Sequence, residues 1–139
     1  MTAAGRYRHV IPVRYGEVDQ QGVVFNAHYL AYVDDTMDRW LRTFDVSFEQ
    51  HGWDVMLKRA EIEWQGPART GDDLVIDVAV VRWGTTSFDA GFQGTVDERP
   101  VFTARVVYVG VRHGTTEPLA APPAVRALLG EAVPELLGG

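Results

Sequence analysis

One amphipathic run near the start of the chain constrains its fold more than any other feature. Over residues 27–44, Leu30, Val33, Met37, Trp40, Leu41 and Phe44 recur at spacings of three and four. That period lines them along one stripe of an α-helix. Asp35 with Arg39 and Asp38 with Arg42 are opposite charges four apart, acid first, which supports a helix again. Asn26 reads as its N-cap. A single striped helix must bury that stripe against other elements. No second helix of similar length can be read in the chain, so the partner must be a sheet.

Strand signals are plentiful. In residues 7–15, Tyr7, His9, Ile11, Val13 and Tyr15 alternate with Arg8, Val10, Pro12 and Arg14. Pro12 has no N–H to give a ladder, so this strand belongs at an edge. Residues 60–65 set Ile62 and Trp64 against Glu61 and Glu63, and 74–83, 86–96 and 101–112 are rich in β-branched and aromatic residues. Gly66-Pro67, Gly71-Asp72-Asp73, Trp83-Gly84 and the stretch 97–100 join them with turn chemistry. A short helical turn is expected at 47–51, ended by Gly52. Consecutive strands on short turns pair antiparallel. The expected class is therefore α+β, and a sheet wrapped around one long helix is the hotdog arrangement. The chain reads as one domain over 1–139. Its core spans about 7–115, and its tail, 117–139, holds short helices broken by Pro122-Pro123 and Pro134.

Composition narrows function. There is no cysteine, which removes disulfides, thiolate zinc sites and a catalytic thiol together. Thirteen basic against nineteen acidic residues leave a net charge of −6. No basic block is present, which argues against nucleic acid as a partner. No run of 18 apolar residues exists, so no membrane partner is expected. The polar start lacks a signal core, and a cytoplasmic protein is the expectation.

Chemistry concentrates in residues 14–30. A strand end leads through Glu17 and Asp19 to Gly22, Val23, Val24, Phe25 and Asn26, and then the helix begins. Asp19 is expected to be sheltered in this loop. Gly22 permits a sharp turn or a close ligand. A helix start offers unpaired N–H groups and partial positive charge. Such a terminus can polarise a carbonyl and hold an oxyanion. A carboxylate facing that carbonyl can attack it or activate water. An Asp next to Gly before a helix is usually a turn or cap residue.

The segment resembles the signature of the 4-hydroxybenzoyl-CoA thioesterase family of hotdog proteins. The resemblance rests on Asp19, Gly22, Val23-Val24, Phe25, Tyr29 and Leu30, on Gly66-Pro67-Ala68 and Gly71-Asp72, and on Gly84-Thr85-Thr86-Ser87. It covers roughly residues 7–115. It implies a thioesterase cleaving an acyl-CoA, with Asp19 as the catalytic carboxylate and the Asn26 N–H polarising the thioester carbonyl. It implies substrate contacts from Gly22, Val24, Phe25, His28 and Tyr29. No metal or resident cofactor is implied, since coenzyme A belongs to the substrate. A homodimer or homotetramer with the site between subunits is also implied.

Two positions depart from the family pattern: 26 is often Tyr or His, and 28 is often Asn. His28 is open to three roles, namely touching substrate, pairing with Asp19, or bonding a nearby carbonyl. Asp34, Asp35 and Asp38 on the helix are fallback acids. Arg59, Arg82 and Arg112 are candidates for the phosphates of coenzyme A. An acyl-carrier-protein thioesterase, a hotdog dehydratase or hydratase, and a non-catalytic acyl-CoA-binding protein are the rivals.

Overall fold

The structure, a computed structural model, describes residues 5–44 and 48–138. Five antiparallel strands form one sheet: β1 (Tyr7–Pro12), β2 (Trp53–Trp64), β3 (Asp73–Trp83), β4 (Ser87–Val96) and β5 (Arg99–Arg112), in the order β1-β3-β4-β5-β2. The long helix α1 (Asn26–Arg42) lies between β1 and β2 in the chain. The short α2 (Phe48–His51) precedes β2, and α3 (Pro123–Leu129) packs in the tail. This is the hotdog arrangement that the element order predicts.

The helix buries Tyr29, Tyr32, Val33, Thr36, Met37, Trp40 and Leu41. The sheet meets them with Leu74, Ile76, Val78 and Val80 of β3, Phe88, Ala90 and Phe92 of β4, and Phe102, Ala104, Val106 and Tyr108 of β5. Each strand contributes every second residue, as a pleat requires. The expected stripe needs one correction. Leu30 is 40% exposed, and Tyr29 takes its place in the core. Tyr29, Val33, Met37 and Trp40 follow the helical period, and Leu30 sits about 100° round from Tyr29.

Other boundaries differ from the expected ones for physical reasons. β1 ends at Pro12 and the chain turns into a 3₁₀ turn, Tyr15–Glu17, so Tyr15 leaves the sheet and is 84% exposed. β2 starts seven residues earlier than the alternation suggests and is exposed over most of its length. It is an edge strand with a bulge between Leu57 and Arg59. The tail prolines open elements rather than break them: Pro123 starts α3 and Pro134 starts a 3₁₀ turn, Pro134–Leu137. Pro at a helix start loses no hydrogen bond.

Candidate active site

The loop between β1 and α1 is a small braced hairpin. Val18 and Val24 form an antiparallel bridge, and the Asp19 N–H donates to the Val23 carbonyl at 2.8 Å. The Gly22 N–H closes the turn onto the Asp19 carbonyl at 3.0 Å, and Gly22 has φ +77°. An L side chain there would be strained. The Gln21 N–H donates to Asp19 Oδ1 at 2.8 Å, so one carboxylate oxygen holds the turn. Among the described residues, Oδ2 has no hydrogen-bond or ion-pair partner, and Asp19 is exposed. The sheltered acid expected from the sequence is corrected: Asp19 occupies a hairpin tip, where no neighbouring layer covers it.

The hairpin is pinned on two sides. The Val13 N–H donates to the Asp72 carbonyl at 2.9 Å, and the Gly71 N–H returns to Val13 at 3.0 Å. The Val24 N–H donates to the carbonyl of buried Ala68 at 2.9 Å, and Val23 bridges Arg69. Gly66-Pro67-Ala68 thereby brings the turn before β3 against the helix start.

That start differs from the expected one. Phe25 is the N-cap, at φ −62° and ψ 134°, and Asn26 is the first helical residue. Phenylalanine has no side-chain acceptor, and no side-chain cap bond forms. The His28 N–H bonds the Phe25 carbonyl at 2.9 Å. Among the described residues, the N–H groups of exposed Asn26 and Ala27 have no acceptor. They point out of the positive end of α1. The bridged Val18–Val24 pair holds this end two residues from the bridge on one arm, with Asp19 the next residue on the other.

The remaining expected contacts divide. Phe25 is 52% exposed and His28 half-buried, with their rings edge to face at 6.0 Å. Val24 and Tyr29 are 2% and 1% exposed, so in the single chain they back the site rather than face it. Tyr29 lies among Tyr32, Trp64 and Phe102, with ring centroids 5.3–5.9 Å away. Burial pushes its phenol up. No Asp19–His28 pair forms among the described residues.

His28 instead lines a groove of about 460 Å³ between β1 and α1, with His9, Glu17, Tyr32, Asp35 and Arg39. Asp35 bonds Arg39 at 2.9 Å and approaches His9 at 3.7 Å, and Asp38 pairs with Arg42 at 2.9 Å. These two carboxylates are paired, as their spacing predicts, and Asp34 lies 3.4 Å from the Tyr108 hydroxyl. A larger cavity, about 790 Å³, is lined by Arg6, Trp83 and Arg126, at the opposite end of β3 from the residues that brace the Asp19 loop.

Two residues of the site escape a reading of the sequence. The Arg14 N–H donates to Glu17 Oε1 at 2.9 Å, and Arg14 Nη2 bonds Oε2 at 2.8 Å. The only signal is the Arg14-x-x-Glu17 spacing, and Arg is not a residue that announces a cap. The Arg14 guanidinium holds the Glu17 carboxyl below its ordinary value of 4.5. The buried Tyr32 hydroxyl lies against the same carboxylate, yet completes no hydrogen bond. Burial and the Glu17 charge both push that phenol up.

Arg59, Arg82 and Arg112 all face acids: Arg59 meets Glu61, Arg82 is 4.0 Å from Asp89, and Arg112 is 3.1 Å from Glu117.

This geometry sits within a known lineage. A family model described as the thioesterase-like superfamily matches residues 13–129. A 1,4-dihydroxy-2-naphthoyl-CoA hydrolase of Synechococcus elongatus is 24% identical over 110 residues, covering 76% of this chain and 81% of that relative. The solved 1,4-dihydroxy-2-naphthoyl-CoA thioesterase of Synechocystis superposes with a TM-score of 0.74 at 19% identity, over 85% of this chain and 90% of that one. A Thermus thermophilus thioesterase, solved with coenzyme A and zinc, gives a TM-score of 0.75 at 25% identity, over 88% and 90%. With most of its length matched, the chain belongs to the thioesterase-like superfamily.

Proposed function

We propose that this protein hydrolyses an acyl-CoA thioester to a free acid and coenzyme A, using the Asp19 carboxylate and the first amides of α1. The observation that carries the reading is the pairing of two open groups on one braced loop. One is the free oxygen of Asp19 at the hairpin tip. The other is the pair of unbonded N–H groups at Asn26 and Ala27. The Asn26 N–H and the helix end would take the thioester oxygen as negative charge builds on it. Asp19 would attack the carbon or take a proton from the attacking water. Water supplies the oxygen of the new carboxylate, and sulfur leaves as the thiol. The chemistry draws on no metal.

Gly22 would let the acyl chain pass close to the backbone, and Phe25 and His28 would flank it. Val24 and Tyr29 would touch it only where chain or partner movement opens the core. Coenzyme A as the carrier is supported by the CoA hydrolases and the CoA-bound relative among the similar proteins. Those relatives also make an aromatic acyl-CoA the first substrate to try.

We further propose a homodimer. Leu30, Met56, Leu57 and Trp64 are 40–46% exposed and Phe25 is 52% exposed, along the free β2 edge and the α1 start. An unpaired strand edge with apolar side chains is a template for pairing. The site would then lie where two subunits meet.

The test is free-thiol release over short, long and aromatic acyl-CoAs. Asp19→Asn keeps an oxygen for the Gln21 N–H, so the turn survives while the charge is lost. Turnover is expected to fall by roughly 10²–10⁴. Wild-type rates in that variant would move the chemistry elsewhere.

A further inference from the structure

We infer that Glu17 is a positioning residue, which sets the distance between the Asp19 carboxylate and the open amides of α1. The inference rests on the roles proposed above for those two groups. Acyl transfer needs both in register, and a misplacement of about 1 Å can cost about a hundredfold in rate. Something must therefore fix the helix start relative to the hairpin. The usual device is a Ser, Thr, Asp or Asn N-cap, whose side chain bonds the second or third amide. Here the N-cap is Phe25, which has no acceptor and makes no side-chain cap. That leaves the amides free for substrate but leaves the helix start without a side-chain cap, held by the backbone contacts of Val23 and Val24.

Glu17 adds an anchor at the N-cap itself, through its carbonyl, its carboxylate and its amide. Its backbone carbonyl accepts the N–H of the N-cap residue, Phe25, at 3.0 Å. Its carboxylate accepts the Arg14 N–H at 2.9 Å and the Arg14 guanidinium at 2.8 Å. Its own N–H returns to the Arg14 carbonyl at 2.9 Å. The Tyr32 hydroxyl on the second turn of α1 lies against the same carboxylate. Glu17 thus ties the end of β1, the base of the Asp19 hairpin and the start of α1 together. Its side chain is only 13% exposed, so water competes weakly for these bonds.

The same contacts separate the roles of two neighbouring acids. Glu17 has both oxygens engaged by Arg14, whereas Asp19 keeps one oxygen open. Positive charge holds Glu17 ionised as a structural acceptor rather than a proton carrier. The bond that matters is the one from the Arg14 N–H. The Arg14 guanidinium is 79% exposed, and such a surface pair contributes little. An amide oxygen in the place of Oε1 satisfies the N–H equally well. A side chain one methylene shorter falls short of it.

The experiment is steady-state thiol release by Glu17→Gln, Glu17→Ala and Glu17→Asp, beside Asp19→Asn, with a melting temperature for each. In Glu17→Ala and Glu17→Asp, kcat is expected to fall roughly 10–100-fold while KM stays within about threefold. Glu17→Gln is expected to stay within about threefold of wild type. Rescue by Gln but not by Asp, with loss confined to kcat, is a pattern that lost stability does not produce. Wild-type kcat in Glu17→Ala, or a loss that only tracks unfolded protein, overturns the inference and leaves Asp19 untouched. Should Glu17→Ala fail to fold, Glu17→Asp against Glu17→Gln decides the same question: equal kcat in those two overturns the inference. Full activity in Asp19→Asn would instead sink the reading beneath it.

Discussion

Asp19 has one oxygen for the turn and one for the chemistry proposed above. Oδ1 accepts the Gln21 N–H and shapes the turn, and Oδ2 has no hydrogen-bond partner among the described residues. The turn role seen in the structure and the proposed catalytic role, alternatives as far as the sequence goes, therefore fit together in one side chain. The division also explains why an Asn substitution isolates charge from shape. Residue-level legibility was uneven. Gly22 was readable because only glycine sits easily at φ +77°. The exposure of Asp19 and the burial of Val24 and Tyr29 were not, because a loop has no period to reveal which side faces the core. Asn26 as N-cap failed for a related reason. Asn favours that position, but Phe25 already adopts the extended backbone that an N-cap needs, and Glu17 holds it there.

At the scale of elements, the long inner strands were legible because β-branched and aromatic residues on consecutive strands can pack only into a covered sheet. β2 was half missed. The alternation is legible over 60–65 only, because Met56-Leu57-Lys58-Arg59, exposed and interrupted by the bulge, reads as neither strand nor helix. The β1–α1 contact has its own pH signature. His9 of β1 lies against Asp35 and Arg39 of α1. Burial first, and the Arg39 charge next, lower the His9 pKa below its ordinary 6.5, with Asp35 opposing. A lowered pKa on a base means that the unfolded chain binds the proton more readily. Stability contributed by neutral His9 is therefore full above pH 6.5 and declines as pH falls below it. Urea midpoints from pH 5 to 8 should show that acid-side decline, and His9→Gln should flatten it. An unchanged slope in that variant would place the titration elsewhere.

For the whole molecule, the proposed dimer rests on apolar surface that the single chain leaves open. Phe25 and Leu30 near the helix start, and Met56, Leu57 and Trp64 on β2, form apolar surface that one protomer does not cover. Pairing β2 with its copy would bury that surface and bring a second chain beside the first. Leu57→Lys places a charge on the free edge and should shift the molecular mass in solution from dimer to monomer. Thiol release should fall with it. A Leu57→Lys protein that stays dimeric would put the interface on another face.

The proposed mechanism depends above all on an open backbone amide at the start of α1 stabilising the developing oxyanion, and thiol release in Asn26→Pro beside Asn26→Ala isolates that amide. Proline suits the first helical position, and Phe25 already has the extended backbone that a following proline demands. Asn26→Pro therefore deletes the donor while α1 stays folded, and Asn26→Ala keeps it. Near wild-type kcat is expected for Asn26→Ala, and a loss of roughly 10²–10³ for Asn26→Pro. Equal rates in the two folded variants would show that the amide holds no oxyanion.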